Sequence, residues 1–369
     1  MIREEINEIK KQFNKDTNVI TKYAGCYVDA EKNIKFMTKD AFYSLPEEDA
    51  FKYEEIFRKT LSGAVGKSLL TLDFSIDEEG EDTPHAFLMK LRESRLDDEL
   101  ILDEFFRKVI DAYEYAENYY IILVDMMYDI PGKSSDKLSM EDASNEVYHG
   151  LLCSICPVTL SKPALSYFAN EGVIANRIRD WIVGMPMHGF LFPAFTDRTT
   201  DIHAVLYFSK KNDALNESFI NEIIGVNPPM SSVMQKETFE AVLYDVLRDE
   251  LTMPVMSALS SNMLDLIAEN SQNPEPLVLT KNDMVKLISK SGVSDEAVES
   301  YEKSADADIE VLADNVVDTR KFEVKTPGIT VKTDTDSIEK LEARVIDGRK
   351  YLLVPIEDDV EVNGMPVKA

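Results

Sequence analysis

Two long apolar segments constrain the fold of this chain most strongly. They are NYYIILVDMMYDI (residues 118–130) and VYHGLLCSICPVTL (residues 147–160). Both have the aliphatic and aromatic content of β-strands, and the stretch between them, PGKSSDKLSMEDASNE, is polar. We therefore expect two core strands of a sheet at these positions.

The second of these segments contains a C-x-x-C spacing, Cys153 and Cys156, close to His149. A metal or redox site needs both sulfurs on one side of the backbone, whereas side chains three residues apart in a strand point to opposite faces. Cys26 is the third cysteine of the chain, and it could complete a ligand set with His149 only through tertiary contacts. We predict buried, inert thiols on opposite faces, with a metal site and a redox pair as the alternatives.

The remaining segments predict an α+β fold. Apolar periodicity indicates a helix over residues 2–13, and TKYAGCYVD with NIKFMTKDAF indicates a β-hairpin. A capping box from Ser44 to Glu47 opens the next helix, and Asp97 caps a later one. GFLFPAF and IHAVLYFS form a further hairpin. The expected architecture is a mixed sheet with flanking helices, then a helical module and a small C-terminal β unit.

These changes of pattern predict three regions. Residues 1–211 form a mixed α/β domain, residues 212–319 a helical module, and residues 320–369 a small unit of β-hairpins. The last region contains Pro-Gly, Asp-Gly and Asn-Gly pairs, and Asp347-Gly348 predicts a type I′ turn between EARVI and RKYLLV.

The charge of the chain limits its partners. The 68 acidic and 40 basic side chains among 369 residues give a formal net charge of −28, which repels polyanions and anionic membranes over most of the surface. Residues 151–220 are an exception, with six basic and six acidic side chains. A neutral, apolar middle segment is typical of core, and the alternative is a surface that faces a partner. The mixed charges of the N-terminus predict that there is no signal peptide, and the longest uncharged apolar stretch, WIVGMPMHGFLFPAFT, is shorter than a membrane span. With three cysteines, too few for a disulfide framework, we expect a cytoplasmic protein.

Two clusters of side chains are candidates for function. Arg177, Arg179 and Trp181, in NRIRDWIVG, can contact a nucleic-acid backbone or a protein; the alternative is a set of local ion pairs with Asp180 and Glu171 at the end of a short helix. With Lys162 and Arg198 they form the candidate contact set.

The other cluster is the hairpin from His188 to His203, which contains Asp197, Arg198 and Asp201. It could bind a divalent ion for phosphoester chemistry, or it could be a solvated turn. We assign no catalytic residue, metal ligand or cofactor to it.

Several strings resemble a known bacterial family. KYAGCYVD, LLCSICPV, LSKPALSY, DWIVGMPMHGFLFPAFTDRTTDIHAVLYF and RKFEVKTPGITVKTD are similar to domain-of-unknown-function family 4317 over nearly the full length. A more distant similarity, to bacterial nucleoid-associated proteins of the NdpA type, covers residues 93–125, 277–303 and 327–367. The NdpA type has the same order of elements but a shorter connection than residues 131–146. That similarity implies nucleic-acid association and supplies no catalytic residues.

Together these observations predict a non-enzymatic bacterial cytoplasmic protein that is nucleoid-associated or acts by protein association. DNA would be bound through a local basic face, and a homodimer is compatible with the sequence. The alternatives are a metal-dependent phosphoesterase that uses the His188–His203 hairpin and a homo-oligomeric protein-binding scaffold.

Overall fold

A computed structural model describes residues 1–17, 19–133, 139–140, 146–211, 213, 215–304, 309–356 and 360–367. The chain divides into two compact units, Met1–Ser231 and Ser232–Ala369. Most of the polar excursion at residues 131–146 lies outside the described residues.

The first unit contains five helices and fourteen strands among the described residues. The helices are α1 (Arg3–Lys11), α2 (Glu47–Thr60), α3 (Pro84–Glu93), α4 (Glu99–Ala112) and α5 (Glu217–Phe219), which continues as a π-helical turn over Ile220–Ile224. The strands are β1 (Ile20–Val28), β2 (Ile34–Ala41), β3 (Leu69–Asp73), β4 (Tyr119–Ile130), β5 (Gly132–Lys133), β6 (Ser139–Met140), β7 (Glu146–Leu160), β8 (Leu165–Phe168), β9 (Val173–Asn176), β10 (Trp181–Val183), β11 (His188–Phe192), β12 (Ala194–Thr196), β13 (Thr199–Asp201) and β14 (Ala204–Ser209).

Eight of these strands form one sheet. Its order is β2-β1-β4-β7-β11-β14-β3, with β10 paired to the end of β7. Neighbouring strands run antiparallel throughout, and the two apolar segments, β4 and β7, pair at the centre. Both predicted hairpins are confirmed: β1 pairs with β2, and β11 pairs with β14.

Side-chain alternation along β7 divides the interior of this unit into two cores. Cys153 lies in the first core with Leu151 and Ile155, whereas Cys156 lies in the second with Leu152. The prediction that the two cysteines face opposite sides of a sheet is therefore confirmed. Because both faces of the central strands are covered, the continuous apolar runs of β4 and β7 are accounted for.

Helices cover both faces of the sheet. α3, α4 and α5 contribute to the first core through residues such as Leu88, Phe105 and Phe219. α1 and α2 contribute to the second core through residues such as Ile9 and Phe57. The α+β class is confirmed.

Two predicted helix caps are wrong in detail, although both helices form. α2 begins at Glu47 without a side-chain cap, because the Ser44 hydroxyl donates instead to the carbonyl oxygen of Ala41, at 2.6 Å. α4 is capped by Asp98, whose carboxylate accepts from the backbone amides of Leu100 and Ile101. The neighbouring Asp97 instead forms an ion pair with Lys22.

The second unit begins with helices that share one apolar core. They are α6 (Ser232–Leu247), α7 (Met253–Glu269), α8 (Lys281–Lys290), α9 (Asp295–Lys303) and α10 (Ala313–Val316), with a short pair of strands, β15 (Val278–Leu279) and β16 (Val311–Leu312). α9 ends at Lys303, and residues 305–308 lie outside the described part of the chain.

Three β-hairpins follow. They pair β17 (Lys321–Thr326) with β18 (Ile329–Asp334), β19 (Glu342–Ile346) with β20 (Arg349–Leu353), and β21 (Val360–Val362) with β22 (Met365–Val367). Asp347 and Gly348 both have positive φ angles, 50° and 76°, as a type I′ turn requires. In the described residues of both units, none of the helices combines the length and the apolar character needed to cross a bilayer.

A glycine sets how closely α2 approaches the sheet. Gly189 on β11 lies opposite Ser154 on β7, whose hydroxyl bonds to the Thr60 hydroxyl at 2.7 Å. A Cβ on Gly189 would lie 2.3 Å from the carbonyl oxygen of Cys153 and 2.7 Å from Cγ2 of Thr60. Only a residue without a side chain fits between strand and helix here.

We expect Gly189→Ala to lower the free energy of unfolding by about 1–3 kcal/mol, because backbone and helix must move to relieve the overlap. The measurement is urea unfolding followed by circular dichroism. Gly80→Ala is the matched control: its Cβ would lie 3.4 Å from the nearest atom, an ordinary contact. Equal stability of the two variants would contradict this account of the packing.

Candidate functional site: a solvent-exposed β-arm

The candidate contact residues Lys162, Arg177, Arg179 and Trp181 lie together on one structural feature. We call residues 162–185 the arm. The arm contains β8, β9 and β10, and none of its residues, all of which the structure describes, is buried. A segment of 24 residues without a buried side chain contributes little to either core of its own unit.

The arm follows directly after the end of β7. β7 pairs with β4 only as far as Pro157, and its last three residues, Val158–Leu160, pair with β10. At the base, the Ser161 amide donates to the carbonyl oxygen of Asp180 at 2.8 Å, and Nε of Arg179 donates to the carbonyl oxygen of Ser161, also at 2.8 Å. The short helix considered for this segment is therefore wrong: Arg177 and Arg179 lie in the extended connection between β9 and β10, and Trp181 lies on β10.

The outer part of the arm has one strongly apolar face. Tyr167 is opposite Ile174 in the β8–β9 pair, and Leu165 lies two residues before Tyr167 on the same face. These three side chains are 74% (Leu165), 66% (Tyr167) and 69% (Ile174) exposed to solvent. Large apolar side chains with this exposure form a surface that water solvates poorly.

The apolar exposure is concentrated on the arm. Of the sixteen exposed large apolar side chains among the described residues of the first unit, nine lie between Leu165 and Met185. Trp181, the one tryptophan of the chain, is among them at 55% exposure. The neutral middle segment therefore divides into core strands and an exposed surface. That this surface faces a partner stays a prediction.

The arm carries little net charge. Its basic side chains are Lys162, Arg177 and Arg179, and its acidic side chains are Glu171 and Asp180. Among the described residues, none of these three basic side chains forms an ion pair with a carboxylate. The local pairs expected as the alternative interpretation of the Arg cluster are therefore absent from the described part of the arm.

Arg198, the fifth candidate contact residue, lies on a different feature. Together with Asp197 it forms the tight turn between β12 and β13, and both residues have positive φ angles. Its guanidinium makes two-pronged contact with the Glu8 carboxylate, at 2.9–3.1 Å, and Nη2 also donates to the carbonyl oxygen of Pro131. The Glu8 carboxylate raises the pKa of Arg198. The guanidinium is therefore held by Glu8 on α1 and by the Pro131 carbonyl.

The His188–His203 hairpin does not assemble a metal site. Nδ1 of His188 bonds to the Tyr113 hydroxyl at 2.8 Å, in the interior, whereas Nδ1 of His203 bonds to the Glu79 carboxylate at 2.7 Å on the surface. Asp201 accepts from the backbone amide of His203. In the described residues, no three His, Cys, Asp or Glu side chains converge as metal ligands would.

A buried His–Asp pair was missed by sequence reasoning. Nε2 of His149 on β7 lies 2.6 Å from Oδ1 of Asp125 on β4, and Asp125 is 1% exposed. The other carboxylate oxygen accepts from the Thr21 hydroxyl, and Nε of Arg92 donates to the carbonyl oxygen of His149. No described hydroxyl or thiol bonds to His149 as a nucleophile would. The contacts join β1, β4, β7 and α3.

A groove lies elsewhere on the same unit. It has a volume of about 650 Å³, and its lining includes Phe42, Tyr43, Phe51, Glu47 and Glu54. Burial raises the pKa of the Glu54 carboxyl. The lining of the groove mixes apolar side chains with acidic and basic ones, and none of the five candidate contact residues is among them.

Comparison with known proteins supports the resemblance seen in the sequence. The model of a family described as domain of unknown function DUF4317 matches residues 1–365. The chain belongs to this family. The match includes the whole first unit with its arm and the second unit as far as residue 365. No curated protein matches the chain.

The thiols of this DUF4317 protein are expected to be unreactive in the folded state. Cys26, Cys153 and Cys156 are free and buried, and burial raises the pKa of each thiol, to about 12 for Cys26. Because the thiolate is the reactive form, a chromogenic disulfide reagent should modify no cysteine in native protein and all three in denaturant. Rapid modification of two cysteines, or their protection by bound zinc in denaturant-free buffer, would contradict this assignment.

His188 should make stability dependent on pH. Burial lowers its pKa to about 4, whereas the unfolded side chain has a pKa near 6.5. The unfolded state therefore binds more protons between these values, and this contribution to stability is lost as pH falls. Between pH 7 and pH 5 the loss amounts to about 2 kcal/mol.

Urea unfolding at the two pH values tests this expectation in the parent and in His188→Gln, which retains a hydrogen-bonding group beside Tyr113. The variant should lose less stability than the parent on acidification. His203→Gln is the control. The imidazole of His203 is exposed, and the neighbouring Glu79 carboxylate raises its pKa, which is the opposite of the shift at His188. The same pH dependence in the parent and in His188→Gln would refute the role of His188.

Proposed function

We propose that this chain is a non-enzymatic association protein and that the arm is the surface through which it binds another macromolecule. The observation that supports the proposal is the concentration of exposed apolar side chains on a ribbon that lies outside both cores. Surface apolar residues are ordinary when scattered, but a contiguous group on one element is typical of an interaction site.

The stability of the ribbon supports the same proposal. β8 and β9 pair only with each other, and isolated two-stranded ribbons are marginally stable in water. A partner that covers Leu165, Tyr167 and Ile174 would remove apolar surface from water and add packing to the ribbon. Binding would therefore stabilise a feature to which the rest of the unit contributes little.

The chemistry of the arm favours a protein partner over a nucleic acid. Proteins that bind nucleic acid neutralise phosphates with several basic side chains, whereas the arm has three basic and two acidic ones within a chain of net charge −28. Exposed Trp, Tyr and Arg side chains are also the types enriched in protein interfaces. Nucleic-acid association through Lys162, Arg177 and Arg179 is the other outcome of the test. We also propose that the protein acts in the bacterial cytoplasm.

The test is photo-crosslinking of the full chain in its own cells. A photoreactive phenylalanine analogue replaces Tyr167 on the arm or, as the matched control, Tyr43, which is also an exposed tyrosine of the first unit at 56%. We expect protein adducts from position 167, resistant to nuclease, and far fewer from position 43.

The alternative outcomes are distinct. Adducts from position 167 that nuclease treatment shortens would assign the arm to nucleic-acid binding, and gel shifts with a Lys162→Ala/Arg177→Ala/Arg179→Ala variant would then be expected to show weakened, salt-dependent binding. Equal adduct yields at the two positions, or none at either, would overturn the arm as the contact surface.

A further inference from the structure

We infer that the macromolecule bound by the arm is a second copy of this chain, and that the two arms pack antiparallel to each other about a two-fold axis. This inference rests on the proposed function and names its partner. In the assembly, Leu165, Tyr167 and Ile174 of one copy cover the same three side chains of the other. A two-fold interface of this kind uses one surface patch twice.

Electrostatic repulsion limits where two copies can meet. Each copy has a formal net charge of −28, so most pairs of surfaces would bring like charges together at a cost. The arm has three basic and two acidic side chains and therefore carries none of the excess negative charge. The arm has the most exposed apolar side chains of the first unit and no net negative charge. An acidic protein needs both properties in the surface through which it self-associates.

The charges on the arm are also arranged in a self-complementary way. Glu171 lies in the turn between β8 and β9, at the tip, whereas Lys162 and Arg179 lie at the base next to Ser161. Antiparallel packing places the tip of each arm beside the base of the other. Glu171 of one copy then faces the basic residues of the second copy, and the two-fold axis repeats this pairing.

The size of the arm fits a standard interface. Such interfaces bury about 800 Å² on each partner and involve roughly 20–30 residues a side. The arm supplies 24 residues, none of them buried, and its Trp and Tyr side chains are the types that dominate binding energy. The number of exposed residues on the arm therefore lies within the range of a standard interface.

The experiment is sedimentation of the full chain over a range of concentrations. We expect a dimer for the parent and, for Leu165→Thr/Tyr167→Thr/Ile174→Thr, a loss of affinity of about 100-fold or more, because three apolar anchors are removed. Threonine retains strand propensity at each site. The control Phe36→Thr/Tyr43→Thr/Phe51→Thr removes three other exposed apolar side chains of the first unit and should remain dimeric. Circular dichroism verifies that both variants are folded.

Salt dependence gives an independent readout. Because the two copies repel each other over most of their surfaces, added salt should strengthen the dimer by screening. At fixed low salt, Glu171→Lys should raise the dissociation constant of the dimer about fivefold, since the charge pair that it removes occurs twice. Combination with Arg179→Glu should restore part of that loss, because opposite charges then face each other again. Additive losses in the double variant would overturn the antiparallel arrangement.

Each remaining result decides one point. A parent that is monomeric at all concentrations would overturn the inference; crosslinks from Tyr167 to a different protein would then leave the proposed function standing. A dimer that survives the triple substitution on the arm, or that is lost in the control variant, would show that the copies meet elsewhere. A dimer lost only in the arm variant supports the proposal.

Discussion

The pairing of β4 with β7 is the constraint on which the first unit depends. These strands run antiparallel over twelve residue pairs at the centre of the sheet, and their side chains alternate between two cores. A shift of one residue in this pairing would exchange the two faces and place Asp125 where an apolar side chain now lies. The His149–Asp125 contact between the same strands acts against such a shift, because an unpaired buried carboxylate is costly.

The arm is a consequence of the same pairing. β7 has fifteen residues and β4 has twelve, so the end of β7 extends beyond its central partner and takes β10 as a neighbour instead. From that point the chain has no second layer to cover it, and its apolar side chains stay in solvent. The exposed surface thus begins at Lys162, directly after the buried Ser161, and ends at Met185, directly before the buried Pro186. An uncovered extension of a well-packed strand is a structural basis for association that leaves the cores intact.

Sequence reasoning succeeded where the deciding interactions are local. Alternation in β7 predicted the opposite faces of Cys153 and Cys156, and the Asp347-Gly348 pair predicted its turn, because both depend on neighbouring residues. It failed where the partner is distant along the chain. Arg198 contacts Glu8 across 190 positions, and nothing in the pattern around TDRTTD indicates that carboxylate. For the arm, the apolar character of residues 162–185 was visible, but composition alone does not separate a core strand from a surface that faces a partner.

The acidity of the chain and the neutrality of the arm together affect which surfaces can associate. A protein that exposed the same apolar side chains on a surface of mixed charge would associate in several orientations, since hydrophobic contact is not directional. A net charge of −28 opposes those contacts everywhere except where the acidic excess is missing. In the proposed dimer, repulsion by the rest of the surface would therefore supply specificity, and apolar burial by the arm would supply affinity. Acidic substitutions on the arm would weaken the proposed association more than their local contacts suggest, because they would extend the repulsive surface over a region without net negative charge.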